Sequence, residues 1–142
     1  MSTPSNCAEI PCGFLAIRTF AMPADTNPAG HIFGGWLMSQ MDLAGGIHAA
    51  LRAQGVVVTV AVDSMKFHAP VHVGDEVSCY TALTREGRTS LTIHIEAWVR
   101  RSDCRTSTRV TSANFHFVAV DGNYHPRSLP EQGAEECLDL VV

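Results

Sequence analysis

The apolar stretch HIFGGWLMSQMDLAGGIHAALRAQG, at residues 31–55, most constrains what this chain can fold into. It opens on the pair Gly34-Gly35 and then carries apolar residues at helical spacing, which predicts one long helix that Gly55 ends as its C′ residue. The predicted core-facing stripe consists of Leu37, Met41, Ala44, Ile47, His48 and Leu51. Because the other faces are also apolar or tiny, the pattern is typical of a central helix that is covered nearly all round.

A single carboxylate, Asp42, lies about two turns into this helix. It falls off the core-facing stripe, on a face shared with Met38, Gly45 and Ala49. The charged form of an acid is disfavoured in such surroundings unless a partner or a hydrated ligand space stabilises it. Acids in such settings are candidate general bases, although a mid-helix Asp also caps neighbouring elements, pairs with arginine or reaches solvent.

The composition describes one globular domain. The chain has 142 residues, of which 46% are hydrophobic and 17% charged, a slightly apolar balance that points to burial against other subunits. A net charge of -4 argues against nucleic-acid binding. No segment has the layout of a signal peptide and no apolar run is long enough to span a membrane, so we expect a cytoplasmic protein without a membrane partner.

The cysteines and histidines show no ligand spacing. The five cysteines are scattered and form no C-x-x-C pair: Cys7, Cys12, Cys79, Cys104 and Cys137. Reduced thiols are the simplest interpretation. The seven histidines match no motif such as H-E-x-x-H. We therefore expect no metal site.

The rest of the chain has the period of β-strands. Alternating or β-branched runs predict strands at residues 14–20, 56–67, 76–86, 89–101 and 108–121. Residues 1–13 are predicted to be a flexible segment and the acidic tail at 131–142 to be peripheral. Short connections between successive strands favour antiparallel neighbours. Residues 14–130 are thus predicted to form an α+β domain, a single curved antiparallel five-stranded sheet wrapped around one long central helix.

This architecture predicts self-association. One helix cannot cover both faces of a five-stranded sheet, and an open sheet edge needs a partner. We therefore expect a homo-oligomer, at least a dimer, with sheets joined edge to edge.

The motifs resemble those of the hot-dog fold acyl-CoA thioesterases, and most closely the YciA-like bacterial acyl-CoA hydrolases. The resemblance rests on RTFAMPADTNPAGHIFGGWLMSQMD at residues 18–42, VVVTVAVDSMKFHAPVHVGDEVSCY at 56–80 and NFHFVAVD at 114–121. The D-T-N, F-G-G-W and S-Q-M-D motifs of the first segment are the most specific. The resemblance covers residues 14–130, nearly the whole chain.

The resemblance implies hydrolysis of acyl-CoA to free acid and coenzyme A, with no metal and no added cofactor. Asp42 matches the helix acid that this family uses as general base or nucleophile. Asn27 matches a turn asparagine that, in related enzymes, faces this acid across a subunit interface. The resemblance also implies sites at subunit interfaces in a homo-oligomer, commonly a hexamer built as a trimer of dimers. His31 departs from the pattern, because related sequences more often have Asp or Asn there.

The chemistry of thioester hydrolysis suits these residues. The reaction needs a base or nucleophile and donors for the developing oxyanion. Gly34 and Gly35 open the helix, where N–H groups lack partners and the dipole is positive, and glycine lets a carbonyl approach closely. Asp42, further along the same helix, is predicted to supply the base and Asn27 to orient the water or the carbonyl. Singly, the glycines fit a tight helix entry and Asn27 a turn; together with Asp42 they predict a catalytic site.

Five of the nine arginines are concentrated in 22 residues: Arg88, Arg100, Arg101, Arg105 and Arg109. Arginine suits the phosphates of coenzyme A. By the family resemblance, the turn with Arg88, Thr89 and Ser90 and the strand after it, which ends at Arg100 and Arg101, lie near the pantetheine and nucleotide. A solvated basic strand end explains the same residues equally well.

Two other functions remain open from the sequence. A hot-dog hydratase or dehydratase relies on a His–Asp or His–Glu pair at the helix entry, which the motifs do not match. A non-catalytic hot-dog domain that binds acyl-CoA as a sensor usually carries an added DNA-binding segment, for which we expect no room before the first strand. Hydrolysis of acyl-CoA would distinguish an enzyme from such a sensor.

Overall fold

The computed structural model describes residues 10–131. The strands are β1 (Phe14–Phe20), β2 (Val57–Phe67), β3 (Glu76–Glu86), β4 (Ser90–Arg100) and β5 (Thr108–Ala119), and the helix is α1 (Gly34–Ala53). Most of the predicted flexible segment, at residues 1–9, and the tail after residue 131 lie outside the described residues. Within residues 10–131, no helix is long and apolar enough to cross a membrane.

The strands form one antiparallel sheet in the order β1-β3-β4-β5-β2. This confirms the predicted five-stranded sheet with one long helix, and β3, β4 and β5 are successive neighbours as expected. The expectation that successive strands lie side by side is wrong for β2 and β3. The chain passes from edge strand β1 through α1 to the opposite edge, where β2 pairs with β5, and residues 68–75 return across the end of the sheet.

Helix α1 packs against one face of the sheet through small side chains. An added Cβ on Gly45 would lie only 2.5 Å from Ile95 Cδ1 and 2.9 Å from Phe117 Cζ. These partners belong to a buried core that also includes Met41 and Phe115. Glycine at position 45 therefore sets how closely the helix approaches the central strands.

The buried stripe of α1 differs from the predicted one. The predicted residues Leu37, Met41, Ala44 and His48 are buried, but Leu51 is only half-buried and Ile47 is 41% exposed. Gly45 and Ala49 are buried instead. The helix turns its smallest residues to the sheet because they permit the closest packing. Met38 and Leu43 are exposed as well. The prediction of a helix covered all round is thus wrong for a single chain, whose outer helix face is open.

The end of α1 also differs from its prediction. The left-handed residue is Gln54, at φ 53°, and not Gly55. Gly55 instead makes room for Arg127, because a Cβ there would lie 2.7 Å from a guanidinium nitrogen. Arg127 donates to the backbone oxygens of Ala53 and Val120, and so closes the helix end with a side chain from after β5.

His48 is a buried polar member of the helix face that meets the sheet. Its Nδ1 lies 2.8 Å from Thr81 Oγ1 on β3, and its ring packs edge-on against Phe14. Desolvation lowers the pKa of His48 below its ordinary value. The ring is therefore neutral at neutral pH, a structural role in the core.

The outer face of the sheet is polar and linked across strands. His116 on β5 bonds through Nε2 to Asp63 on β2 at 2.6 Å and through Nδ1 to Thr92 on β4 at 2.9 Å. The hydrogen bond with His116 holds the pKa of Asp63 below its usual range. These contacts fasten edge strand β2 to the middle of the sheet.

We predict that Gly45→Ala lowers the free energy of unfolding by about 1–3 kcal/mol relative to Gly46→Ala, because the new methyl group overpacks the helix–sheet contact. Both changes give the helix the same gain in intrinsic propensity, and a Cβ on Gly46 meets only Phe117, at 4.0 Å. Urea unfolding of both variants measures the difference. Equal stability would contradict the proposed close approach at Gly45.

Candidate active site

Asp42 is half-buried on α1 and is held by a side chain of β2. Thr59 Oγ1 donates a 2.6 Å hydrogen bond to Asp42 Oδ1. Among the described residues, no protein group donates to Asp42 Oδ2, so this oxygen is open to a water or a substrate atom. Thr59 could not be identified from local sequence patterns, because only its pairing with Phe117 on β5 turns it toward the helix.

Asn27 organises the loop before the helix. Its Oδ1 accepts hydrogen bonds from the backbone N–H groups of Ala29, at 3.0 Å, and His31, at 3.1 Å. Its own N–H donates to the His31 carbonyl at 2.7 Å. Asn27 Oδ1 therefore stabilises the turn. The side-chain Nδ2 of Asn27 is the group that can donate a hydrogen bond to a ligand.

The start of α1 has open backbone donors. Phe33 precedes the helix without a side-chain cap, and the first helical bond runs from the Leu37 N–H to the Phe33 carbonyl. The N–H groups of Gly34 and Gly35 thus have no partner in the helix. A Cβ on Gly35 would meet nothing within 4 Å, and one on Gly34 would make ordinary contact with Phe67. Contacts within the described chain therefore do not require glycine at either position. Glycine at both positions is consistent with backbone N–H groups that stay accessible to the carbonyl oxygen of a ligand.

One chain does not bring Asp42 and the glycine donors together. Asp42 follows Gly34 by eight residues, which is about 12 Å along a helix. A reacting carbonyl must lie about 3 Å from both the base and the oxyanion donors. Within one chain, Asp42 and the glycine N–H groups therefore lie too far apart to act on one carbonyl, which is consistent with the expected site between subunits.

The turn at residues 87–89 lies beyond the C-terminal end of α1, where Arg52 pairs with Glu86. Arg88 donates to Ser128 Oγ at 3.3 Å, and its carbonyl accepts from Leu129. The Thr89 carbonyl accepts from Ala119, and Ser90 begins β4. The segment after β5 thus packs on this predicted coenzyme A turn.

Arg100 and Arg101 lie at the opposite end of β4, about 33 Å from Ser90 for ten strand residues. Arg100 pairs with Glu76 at 2.7 Å and Arg101 approaches Asp75 at 3.5 Å. Both arginines line a surface cavity of about 460 Å³. Within one chain, the structure does not bring the two predicted arginine groups to one site.

The described cysteines and histidines form no metal site. In residues 10–131, no three His, Cys, Asp or Glu side chains are placed to hold a metal ion. Burial raises the pKa of the Cys79 thiol to about 12, which makes it an inert core residue. Cys12 and Cys104 are exposed and unpaired.

Comparison with known proteins agrees with this fold and identifies the family. The profile of the thioesterase superfamily matches residues 29–104. The acyl-CoA thioester hydrolase YciA of Escherichia coli K12 is 50% identical over 133 residues, which cover 92% of this chain and 98% of that protein. YciA of Salmonella typhimurium is 52% identical over 136 residues, 94% of this chain and 100% of that protein.

Solved structures show the same similarity. HI0827, a hexameric broad-specificity acyl-coenzyme A thioesterase, has a TM-score of 0.85 at 46% identity, covering 94% of this chain and 93% of that one. The hexameric thioesterase y2039 from Yersinia pestis has a TM-score of 0.83 at 54% identity, covering 86% and 99%. HI0827 has also been solved with an aspartate replaced by alanine.

One helix on a five-stranded antiparallel sheet, with open donors at the helix start and an acid on the helix, defines a hot-dog fold thioesterase. The chain belongs to the thioesterase superfamily and, within it, to the YciA-like acyl-CoA thioester hydrolases, as its motifs predict.

We predict that Thr59→Val lowers kcat roughly 10- to 100-fold, since a hydrogen bond to a charged group is worth about 1.5–3 kcal/mol. Thr59→Ser keeps the hydroxyl and should recover most of the activity. Steady-state kinetics on both variants, with circular dichroism as the control for folding, measures this. Activity near the wild-type value in Thr59→Val would contradict the role given to this hydrogen bond.

Proposed function

We propose that this protein hydrolyses acyl-CoA thioesters to free acid and coenzyme A, with Asp42 as general base or nucleophile. The observation that carries the proposal is the Asp42 carboxylate, oriented by Thr59 on a helix whose N-terminal donors are open. Its relatives at 50% and 52% identity over nearly their full length are acyl-CoA thioester hydrolases. No cofactor beyond the coenzyme A of the substrate is part of the proposal.

In the proposed reaction, the N–H groups at the start of α1 bind the thioester oxygen and Asp42 acts on the attacking water or on the acyl carbon. The thioester oxygen accepts hydrogen bonds from the N–H groups at the start of α1, where the helix dipole favours negative charge. Asp42 Oδ2 either takes a proton from the attacking water or attacks the acyl carbon itself. In the general-base route the carbon–sulfur bond then breaks, and the proton that Asp42 took from the water passes to the departing thiolate of coenzyme A. In the nucleophilic route the thiolate leaves as an acyl–Asp42 anhydride forms, and water then attacks this anhydride, giving its hydroxyl to the acid and its proton to the thiolate.

We propose that each site joins Asp42 of one subunit to Asn27, Gly34 and Gly35 of another. The 12 Å separation within one helix requires a second chain if both groups act on one carbonyl. The surface around Asp42 is suited to such a contact. Eight of the eleven residues of β2 are exposed, and the outer face of α1 exposes Leu43 and Ile47.

The assembly that we propose is a hexamer of the kind formed by HI0827 and y2039. Closed symmetric oligomers repeat each interface, so a two-subunit site is completed in every pair. We further propose a cytoplasmic location, since the described cysteines are unpaired, as is usual in a reducing compartment.

The phosphates of coenzyme A have two candidate binding groups. We propose that the turn of Arg88, Thr89 and Ser90 or the pair Arg100 and Arg101 holds them. Because these groups lie at opposite ends of β4, a single chain offers only one of them to a given coenzyme A molecule. The second group then contacts substrate from another subunit or is a solvated surface.

The competing functions are a hot-dog acyl-CoA-binding sensor and a hot-dog hydratase or dehydratase. Both would leave the thioester intact. Thiol release from a panel of acyl-CoAs, from acetyl to palmitoyl, therefore tests the proposal directly. Release from any member supports hydrolysis, and binding without release from all of them would favour the sensor.

We predict that Asp42→Asn lowers turnover by about 10²-fold or more, because the amide neither accepts the proton nor attacks. Light scattering should show an unchanged assembly, since Thr59 can still donate to the amide oxygen. Turnover near the wild-type value would exclude Asp42 as base or nucleophile.

We predict that substitution of the phosphate-binding arginine raises KM more than it lowers kcat, because it removes binding shared by ground state and transition state. Arg88→Ala and Arg100→Ala are compared with acyl-CoA and with an acyl-CoA that lacks the 3′-phosphate. The arginine that binds this phosphate loses its effect on KM with the second substrate. If KM is unchanged in both variants with both substrates, neither arginine binds phosphate.

A further inference from the structure

A cleft of about 400 Å³, lined mostly by apolar side chains, opens at the start of α1, between the helix and the segment that follows β2. Buried Ile32, Leu37 and Val71 form its floor, and Gly34 forms part of its wall. Its volume lies within the range of about 300–1,000 Å³ that is usual for small-ligand sites.

Two phenyl rings stand at the rim of this cleft. Phe33 is 50% exposed and Phe67 is 55% exposed, although both are among the most apolar side chains. Adjacent exposed aromatic residues over a buried aliphatic floor mark a surface that binds an apolar group. The one titratable side chain in the lining, His68, directs its Nε2 to Ser112 at 3.3 Å, on the outer face of the sheet.

We propose that this cleft receives the acyl chain of the substrate and that Phe67 sets the length of chain that fits. The inference rests on the proposed function, in which the N–H groups at Gly34 and Gly35 bind the thioester oxygen. A carbonyl at these donors places the first carbons of the acyl chain at the mouth of the cleft. The carbons that follow find apolar side chains and no charged group to desolvate.

The position of Phe67 makes it the residue that closes the cleft. A Cβ on Gly34 would lie 3.5 Å from Phe67 Cε1, so the ring stands directly beside the first helical residue. Phe67 ends β2 and pairs there with fully buried Thr111. Just before it, the β2 register is irregular between Asp63 and Lys66, with Ser64 at φ 53°, and bulges of this kind re-aim the side chains that follow.

The test is the chain-length profile of kcat/KM, from acetyl-CoA to palmitoyl-CoA, for wild type, Phe67→Ala and Phe67→Trp. Phe67→Ala should extend the profile to longer chains, with a gain of about fourfold in kcat/KM for each further methylene that is buried. Phe67→Trp should shorten the profile. Phe20→Ala is the matched control, because Phe20 ends the other edge strand, is 57% exposed and lines the cavity of Arg100 and Arg101 instead of this cleft. It can change kcat/KM for all chain lengths alike but should leave the dependence on chain length unchanged.

The outcomes separate this inference from the function on which it rests. If both Phe67 variants hydrolyse acyl-CoA with the chain-length profile of the wild type, the inference about the cleft is wrong and the proposed function stands. Dissociation of the assembly in Phe67→Ala, seen by light scattering together with activity lost for every chain length, would assign the cleft to a neighbouring subunit and also overturn it. No thiol release from any acyl-CoA by the wild type would overturn the proposed function itself.

Discussion

One helix covers only one face of a five-stranded sheet, and the rest of this structure depends on that limit. Helix α1 packs its smallest residues, Gly45 and Ala49, against the sheet. Larger apolar side chains, such as Leu43 and Ile47, are therefore exposed on its outer face. Edge strand β2 is exposed for the same reason, since no further element of the described chain packs beyond it. A single subunit is therefore an incomplete unit, and its unpaired surfaces lie next to the acid proposed for catalysis.

The division of the site follows from helix geometry. The proposed base, Asp42, and the proposed oxyanion donors lie on one helix, but about two turns separate them, so within one chain they cannot act on one atom. A two-fold arrangement removes the difficulty, since the acid of each helix can meet the donors of the other. In the proposed arrangement, assembly is part of the chemistry, because a subunit alone holds two incomplete sites. The hydrogen bond from Thr59 also fixes the position of the Asp42 carboxylate relative to β2. Because the outer edge of β2 is exposed, a partner subunit that binds this edge would lie close to the carboxylate.

Local patterns predicted the elements well. The predicted strands agree with the observed ones to within two residues at each end, because alternation and turn residues act over short ranges. The motif that contains Asn27, Gly34, Gly35 and Asp42 was also visible, and the structure shows the open helix start that these glycines imply. Long-range features were missed. The register of β2 against β5 determines that Thr59 faces Asp42, and no local pattern carries this information.

Other errors have equally physical causes. Hydrophobicity predicts that Ile47 belongs to the buried stripe of α1, but Gly45 lies there and Ile47 is exposed. The close approach of the helix to the sheet leaves room only for a glycine at this point. Arg88 and the pair Arg100 and Arg101 are close in sequence, but β4 separates them by its full length, so sequence spacing alone does not show which of them can reach one ligand. The role of Gly55 was read as helix termination, but it depends on Arg127, a residue more than seventy positions later in the chain.

The shared site is the central claim, and subunit complementation measures it most directly. Asp42→Asn and Asn27→Ala, each inactive alone, are unfolded together, refolded as mixed oligomers and assayed for thiol release. If each site joins Asp42 of one chain to Asn27 of another, every mixed pair holds one intact site, and random mixing restores about a quarter of the wild-type activity. A mixture that assembles fully and stays as inactive as its parents would contradict the account, because the two residues would then act within one chain.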